Sequence, residues 1–279
     1  MPRGWEWDPT LFRGSARYYV RGRLPYPPQL ADVLAAALQL DGLGRLLDVG
    51  CGPGVIALRL AHLFAQVVGV DADAEMLAEA ERGAAEHGIA NARWVQALAE
   101  DLPAGLGSFR AATFAASFHW MDRDRVAAAV FQMLEPGGAF VQVSAAQGGD
   151  PNPGPLPQPA PPRVEIDALI RHYLGPERRA GQGVLRHGTP DDELVVLGRA
   201  GFPEPQIVQI RGGAVIVRTI DDIVAMQFST SGSAPHLFGN RLRAFETELR
   251  DLLAAASPSG LFAQQTGDTE LRLWRRPAR

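Results

Sequence analysis

A short run of alternating glycines follows an acidic residue in the stretch LLDVGCGPG, residues 46–54. Asp48 comes shortly before the first two of these glycines, Gly50 and Gly52. Glycine permits the tight turn and the close backbone approach that a bound ligand needs. A second carboxylate, Asp71, ends the next apolar stretch, where it can accept hydrogen bonds from both hydroxyl groups of a ribose. The spacing therefore predicts a turn that binds a nucleoside.

Two details of this turn distinguish a dinucleotide from a cationic nucleoside. The dinucleotide fingerprint G-x-G-x-x-G requires a glycine where this chain has Val55. Asp48 would repel a pyrophosphate, whereas it attracts a ligand that carries positive charge. S-adenosylmethionine (SAM) has an ammonium group, a sulfonium group and a ribose, and it has no phosphate. These residues favour SAM over NAD as the cofactor.

The elements that must position these residues alternate between strands and helices. Apolar runs predict strands at 45–49, 66–70, 92–97, 111–118 and 139–145. Helical spacing predicts helices at 29–40, 55–64, 71–88 and 122–134. Such alternation indicates a parallel sheet with right-handed crossovers, at whose carboxyl ends nucleotide-like ligands bind.

A proline-rich segment interrupts the alternation at residues 148–162. Seven prolines in fifteen residues exclude a helix or a central strand. We expect a surface loop, which is either a lid or a flexible linker into a cap. Beyond it, the spacing predicts helices at 164–175, 191–202, 219–230 and 241–256, and strands at 206–210 and 269–276.

The composition excludes several classes of function. All 27 cationic residues are arginine, so a Schiff base, a phosphate-loop lysine and a Ser–Lys pair are excluded. The formal net charge of −4 argues against nucleic acid as a partner. Cys51 is the single cysteine, so no intramolecular disulfide or cysteine-based metal site can form. The six histidines lack the spacing of metal ligands, and no metal is predicted.

The start of the sequence lacks the apolar region of a signal peptide. No apolar run approaches the roughly 20 residues that span a bilayer. We therefore expect a cytoplasmic protein that has no membrane partner. The excess of arginine and alanine is typical of a GC-rich genome, which suggests a bacterial source and, by association, secondary metabolism. The oligomeric state stays open.

Residues 46–144 resemble the core of a class I SAM-dependent methyltransferase, in the small-molecule branch that resembles ubiquinone and trans-aconitate methyltransferases. The motifs that carry the resemblance occur in order: LLDVGCGPG, VVGVDADAEML, AEDLP, SFHWMD and LEPGGAFVQV. It implies an α/β fold with a doubly wound, Rossmann-like sheet of seven strands, in which strands 6 and 7 form an antiparallel edge. It also implies a mostly helical cap. The expected units are an N-terminal helical lead-in over the active site at 1–40, the SAM-binding core at 41–147, and cap insertions with the last two strands at 148–279.

The resemblance also assigns residues to the parts of SAM, with S-adenosylhomocysteine (SAH) as product. The methionine end is expected to contact Asp48, Gly50, Gly52 and Ser117. The ribose and adenine are expected to contact Asp71, Ala72, Met76, Ala99 and Glu100. Asp71 would hold the ribose, the backbone of Ala99 would donate to the adenine, and Glu100 would accept from the adenine amino group. The N-terminal YYVRGRLPYP resembles the lead-in of the same branch, so Tyr19 and Arg23 would close over the cofactor.

The residues that would act on the substrate are less well defined. His119 follows strand 4 and could be a general base, because the histidine pKa lies near neutral pH; a purely structural role is the alternative. His236 is a second candidate base, in the cap. Trp120 and His187 are candidates for the substrate pocket, each with a structural role as the alternative.

These observations predict an enzyme that moves a methyl group from SAM to O, N or C of a small molecule. No Asn-Pro-Pro-Tyr segment stands where the chain has SFHW, which argues against methylation of amines on DNA bases. Two alternatives stay open. A SAM-binding protein of this fold can catalyse another reaction, such as cyclisation, or can be a non-catalytic sensor or partner.

Overall fold

The computed structural model describes residue 8 and residues 10–146, 149–180, 183–184 and 192–278. The strands in these residues are β1 (Arg45–Val49), β2 (Gln66–Asp71), β3 (Ala92–Gln96), β4 (Phe109–Ala115), β5 (Leu134–Ala145), β6 (Arg179–Ala180), β7 (Gly183–Val184), β8 (Gln206–Ile210), β9 (Val215–Thr219), β10 (Leu261–Gln265) and β11 (Thr269–Arg275). The helices are α1 (Ala16–Gly22), α2 (Leu30–Leu38), α3 (Val55–Leu60), α4 (Ala74–Glu86), α5 (Arg123–Met133), α6 (Arg163–Leu174), α7 (Glu193–Arg199), α8 (Ile220–Phe228) and α9 (Leu242–Ala256).

Seven strands form one sheet in the order β3-β2-β1-β4-β5-β11-β8. The first five strands are parallel, which confirms the predicted doubly wound α/β fold. β11 is antiparallel to both of its neighbours, β5 and β8. The last two strands, β8 and β11, pair antiparallel to each other at one edge of the sheet, which confirms the predicted antiparallel edge. β11 lies inside the sheet and buries Leu271, Leu273 and Trp274, whereas the edge strand β8 leaves Ile207 more than half exposed.

Helices cover both faces of this sheet. Consecutive residues of β1 point to opposite faces: Leu46 packs in the layer that contains α2 and α3, and Leu47 in the layer that contains α5 and α7. Both side chains are fully buried. A strand that is buried on both faces reads as a continuous apolar run, which is why β1 and β2 could be predicted from sequence.

The cap has its own core, built by α6, α8 and α9. Phe238 and Phe245 stack there with ring centroids 4.0 Å apart. The cap is mostly helical, as predicted, but it also contains the antiparallel pair β9–β10 and the short hairpin β6–β7. The sequence analysis does not predict these strands, which lie in a region where longer helical patterns dominate.

Several element boundaries differ from the predicted ones for local reasons. α4 begins at Ala74 instead of residue 71, because Asp73 caps the helix and accepts a hydrogen bond from the backbone N–H of Glu75 at 2.8 Å. β4 ends at Ala115 instead of residue 118, because Ala116 has a φ of 53° that turns the chain. None of the helices in the described ranges has the length and apolar character that a membrane span requires.

The described part of the proline-rich connection, residues 149–162, is attached to the cap. The backbone N–H of Asp150 donates to the carbonyl oxygen of Gln265 at 2.7 Å. Farther along, Pro159 accepts from the backbone N–H of Ala263 at 3.0 Å. These bonds attach both parts of the connection to β10, and its role as a lid or as a flexible linker stays a prediction.

Candidate active site

One cavity lies at the carboxyl ends of β1, β2 and β4 and brings together ten of the predicted site residues. These are Tyr19, Gly50, Gly52, Asp71, Ala72, Met76, Ala99, Glu100, Ser117 and Trp120. Arg23 and Asp48 line a smaller cleft beside it, and that cleft shares Tyr19, Gly50 and Gly52 with the main cavity. Elements from the N-terminal segment and from the sheet therefore line two adjoining cavities.

The glycine turn after β1 forms the floor of the cavity. The backbone N–H groups of Gly50 and Cys51 donate to the carbonyl oxygen of Val70 at 2.8 and 3.0 Å. Gly50 and Gly52 have φ angles of 65° and 53°, which only glycine adopts without strain. A Cβ at Gly50 would lie 2.6 Å from the Cβ of Ser117, whereas a Cβ at Gly52 would meet no atom within 4 Å. Gly52 therefore leaves open the space into which a ligand can approach.

Asp71 is fixed beside this turn at the end of β2. Its Oδ2 accepts from the backbone N–H of Gly52 at 2.7 Å, and its Oδ1 accepts from that of Asp73 at 2.9 Å. Burial raises the pKa of the carboxyl above its usual value. Each carboxylate oxygen accepts more than one hydrogen bond, so Asp71 retains acceptor capacity toward the cavity.

Asp48 lies deeper, at the end of β1, and is 1% exposed. The hydroxyl of Thr113 donates to its Oδ1 at 2.7 Å, and the backbone N–H of Ala57 donates to its Oδ2 at 3.2 Å. Burial raises the pKa of this carboxyl to about 7, against the opposing effect of the two hydrogen bonds. No arginine touches Asp48 among the ion pairs of the described residues. Its charge is therefore costly in the free protein and is available to a cationic ligand.

The N-terminal helix α1 covers the opening. Tyr19 faces both cavities, and the Arg23 guanidinium lies 4.8 Å from its ring centroid. Arg23 also donates to the carbonyl oxygen of Ser229 at 2.6 Å. Phe12, just before α1, meets Tyr19 and Trp120 edge to face at 6.4 Å each. Aromatic side chains from two distant parts of the chain thus close one side of the cavity.

The opposite end of the cavity is formed by the turn after β3. Ala99 begins a short 3-10 helix, Ala99–Asp101. Oε1 of Glu100 accepts from the backbone N–H of Asp122 at 2.6 Å, which connects this turn to the start of α5. Ser117, on the segment after β4, donates its hydroxyl to the carbonyl oxygen of Val49 at 2.7 Å. One oxygen of the Glu100 carboxylate is therefore already bonded within the protein.

The histidines stand apart from the cavity wall. Among the described residues that line the cavity, His119 and His236 are both absent. His119 packs against Trp120 with ring centroids 4.7 Å apart, and burial, with Arg178 and Arg123 adding to it, lowers its pKa to about 4. His236 holds the carbonyl oxygen of Arg13 through Nδ1 at 3.1 Å. His187 lies outside the described residues, so all three roles stay predictions.

Several cavity residues were not predicted from the sequence. They are Leu11, Phe12, Val70, Asp73, Ala97, Leu98, Ala115, Ala116 and Met121. Leu11 and Phe12 belong to the N-terminal segment that was expected to cover the site, and Met121 belongs to the SFHWMD motif. Their proximity to known motifs was the available signal, but single apolar residues carry no pattern that distinguishes a cavity wall from a core.

The charges of the cavity wall test which ligand fits. The charged side chains on its described lining are Asp71, Asp73 and Glu100, and none of that lining is an arginine. A pyrophosphate would be repelled by this acidic wall. A cationic adenosyl ligand fits it, because the carboxylates can accept from hydroxyl and amino groups and the glycine turn leaves room for close approach. Across the described part of the chain, no group of three or more His, Cys, Asp or Glu residues could hold a metal.

Comparisons with known proteins agree with this geometry. The sequence profile of the methyltransferase domain matches residues 46–138. An uncharacterized methyltransferase of Mycobacterium tuberculosis is 36% identical over 132 residues, which are 47% of this chain and 51% of that protein. The chain therefore spans about half the length of the curated relatives it matches.

Solved structures share the fold over most of the chain. A candidate type II methyltransferase from Anaeromyxobacter dehalogenans aligns with a TM-score of 0.54 at 24% identity, over 92% of this chain and 99% of that one. The [4+2]-cyclase SpnF aligns with a TM-score of 0.52 at 21% identity, over 92% of this chain and 85% of that one. These likenesses show the fold, and because one neighbour is a cyclase, the fold by itself does not fix the reaction.

Proposed function

We propose that this chain is a SAM-dependent methyltransferase acting on a small molecule. The match of residues 46–138 to the methyltransferase domain profile supports the proposal. The acceptor atom is O, N or C. The observation that carries the proposal is the open glycine turn beside Asp71 in a cavity whose charged wall residues are all carboxylates. That arrangement favours a cationic adenosyl ligand over a dinucleotide.

The residues that would hold SAM divide between the two cavities. Asp48 would attract its ammonium group, and Tyr19 and Arg23 would cover its methionine part. Asp71 would accept hydrogen bonds from the ribose hydroxyls. Ala99 and Glu100 would contact the adenine. When bound, SAM supplies an electrophilic methyl group on a sulfonium centre.

The protein's own contribution to the reaction is alignment and exclusion of water. Leu11, Phe12 and Trp120 give the acceptor side of the cavity an apolar wall. Next to that wall, His119 is neutral at pH 7 because its pKa is lowered to about 4. A neutral imidazole can accept the proton that leaves an O–H or N–H acceptor as it is methylated. His236 would serve only if the cap brings it closer to the cavity.

The competing function is a different reaction on the same cofactor site. The likeness to the cyclase SpnF supports the possibility of catalysis without methyl transfer, and a sensor would bind SAM with no turnover. Release of SAH together with a methylated product distinguishes the proposed function from both. A product formed without SAH would support the cyclase-type alternative.

The test begins with calorimetric titration of SAH, with NAD as the control ligand, into the wild type and into Asp71→Ala. We expect micromolar binding of SAH to the wild type, no binding of NAD, and at least a tenfold weaker affinity in the variant. Asp101→Ala is the matched control, since Asp101 is an exposed carboxylate outside the cavity lining. If SAH fails to bind folded, ligand-free wild type, the proposal is wrong.

We propose the biological setting on composition alone. The net charge of −4 gives nucleic acid no electrostatic attraction, so the partner is a small molecule and not a nucleic acid or a membrane. The excess of arginine and alanine, typical of a GC-rich genome, is the support for a place in bacterial secondary metabolism, and we propose a cytoplasmic location with it. Screening the protein against O-, N- and C-nucleophiles with SAM tests the substrate class directly.

A further inference from the structure

A buried arginine of the cap connects the covering helix α1 to the rest of the molecule. Arg218, on β9, is 4% exposed. Its Nη2 donates to the carbonyl oxygens of Arg21 and Gly22 at 3.2 and 2.9 Å. The same nitrogen donates to the carbonyl oxygen of Asp222 in α8 at 2.9 Å. One guanidinium group therefore bridges the last turn of α1 and the first turn of α8.

The acceptors explain why a buried cation is stable at this place. The last carbonyl groups of a helix have no partner within the helix, and Arg21 and Gly22 are the last two residues of α1. A cation also interacts favourably with the carbonyl end of a helix. Nη1 of Arg218 completes the set by donating to Oε1 of Gln264 on β10 at 3.4 Å. The terminal carbonyl groups of Arg21 and Gly22 would lose this donor if Arg218 were removed.

Two further contacts hold α1 tightly against α8. A Cβ on Gly22 would lie 2.4 Å from the carbonyl oxygen of Ala225, so the two backbones touch there. Arg23 donates to the carbonyl oxygen of Ser229 at 2.6 Å, just beyond the end of α8. α1 and the cap are thus joined along the length of α8.

We propose that Arg218 is a positioning residue, which fixes α1 on the cap and so holds Tyr19 over the cofactor cavity. The proposal rests on the proposed function, because Tyr19 is one of the residues assigned to SAM. Arg218 itself is absent from the described lining of both cavities. It acts through α1, and the affinity for the cofactor is therefore set partly from the cap.

The test compares variants by hydrogen–deuterium exchange of the α1 amides and by titration of SAH. Arg218→Met should speed exchange in Ala16–Gly22 at least tenfold and raise the Kd of SAH at least tenfold. Arg218→Lys keeps a cation and should restore part of both values. The matched control is Arg199→Met, since Arg199 pairs with Asp124 on α5 and shares no ion-pair partner with α1.

A second perturbation reaches the same contact without changing charge. Gly22→Ala should push α1 away from α8 and raise the Kd of SAH in the same direction. Gly198→Ala is its control, because a Cβ on that helical glycine meets no atom within 4 Å. Protection of the α9 amides should be unchanged in all variants, which separates a moved α1 from an unfolded cap.

A double-mutant cycle separates positioning from general stabilisation. If Arg218 acts through Tyr19, then Arg218→Met and Tyr19→Ala together should raise the Kd of SAH no more than the larger single effect. The proposal is wrong if the two substitutions raise the Kd of SAH by fully multiplicative factors. It is also wrong if Arg218→Met leaves hydrogen–deuterium exchange of the α1 amides unchanged, or speeds that exchange without changing the Kd of SAH. If the wild type does not bind SAH, the proposed function fails, and the exchange of α1 alone decides whether Arg218 holds the helix.

Discussion

Replacing Asp48 by asparagine should stabilise the free protein at high pH and weaken its binding of a cationic ligand. The folded-state pKa of this carboxyl is about 7, raised by burial, whereas an unfolded aspartate titrates near 3.8. A group whose pKa is raised on folding contributes stability below its unfolded pKa and loses that contribution as the pH rises through its folded pKa. For Asp48 the loss falls between about pH 4 and pH 7.

The magnitude follows from the two pKa values. One pKa unit corresponds to about 1.4 kcal/mol, so ionisation of Asp48 costs the folded state about 4 kcal/mol at pH 8 and about 1.6 kcal/mol at pH 5. Asparagine does not ionise. Its carbonyl can accept from Ala57, and its amide can donate to the Thr113 hydroxyl, which has the carbonyl oxygen of Leu47 at 3.5 Å as another acceptor. Since the folded carboxyl is neutral at pH 5, asparagine exchanges neutral hydrogen bonds for neutral ones, and the move of the Thr113 hydroxyl to its longer contact with Leu47 costs about 1–2 kcal/mol.

Urea denaturation at pH 5 and pH 8 measures the outcome. We expect Asp48→Asn and the wild type to be about equally stable at pH 5, and the variant to be more stable by about 3 kcal/mol at pH 8. Asp101→Asn, an exposed carboxylate, controls for the change in net charge. A stability difference between Asp48→Asn and the wild type that does not vary with pH would refute the assignment of a raised pKa to Asp48.

The wild-type affinity for SAH should rise with pH, although the stability contribution of Asp48 falls. A ligand that carries an ammonium group binds the ionised form of Asp48, so wild-type affinity should rise by up to about twentyfold from pH 5.5 to pH 7.5. Asp48→Asn should bind SAH more weakly and lose this pH dependence. The same buried charge would then lower the stability of the free protein and select the cofactor, which is a known pattern at functional sites.

Two other variants test separate parts of the site. Gly52→Ala should raise the Kd of SAH at least tenfold, because the backbone at residue 52 has a φ of 53° and the added Cβ would enter the ligand space. The control is Gly42→Ala, which has a φ of 83° and no atom near its Cβ, and so shows the effect of backbone strain alone. Equal affinity for SAH in Gly52→Ala and the wild type would contradict the assignment of the site. His119→Gln should lower kcat by a factor of about 10²–10⁴. It should also remove the fall in activity that the wild type shows as the pH drops through about 4. Once a substrate is found, turnover within twofold of the wild type would exclude His119 as the base.

The cofactor half of the site could be predicted because its chemistry is local. Gly50 and Gly52 form a turn whose residues are adjacent in sequence, and Asp71 ends the strand that lies beside β1. A parallel sheet brings the ends of neighbouring strands to one edge. The alternation of strands and helices was therefore enough to place these residues in one cavity, and the structure does so.

The cap and the order of the last strands depend on contacts that no local pattern specifies. β9 and β10 pair across more than forty residues, and each is too short to show a clear period. The place of β11 inside the sheet depends on the burial of Trp274, which a strand prediction does not contain. The role of Phe12 could not be predicted for the same reason, since this residue lines the cavity only when α1 lies on α8.

The pKa values show most clearly what the sequence leaves out. The motif identifies Asp48 as an acid beside the glycine turn, but its high pKa arises because burial outweighs the hydrogen bonds from Thr113 and Ala57. The ordinary histidine pKa, near neutrality, makes His119 a candidate base, yet burial lowers the pKa of this side chain to about 4. In both cases the sequence identifies the residue type but does not predict its protonation state, because the protonation state depends on the packing around the group. The sequence therefore predicts which residues line the cavity better than it predicts a catalytic base.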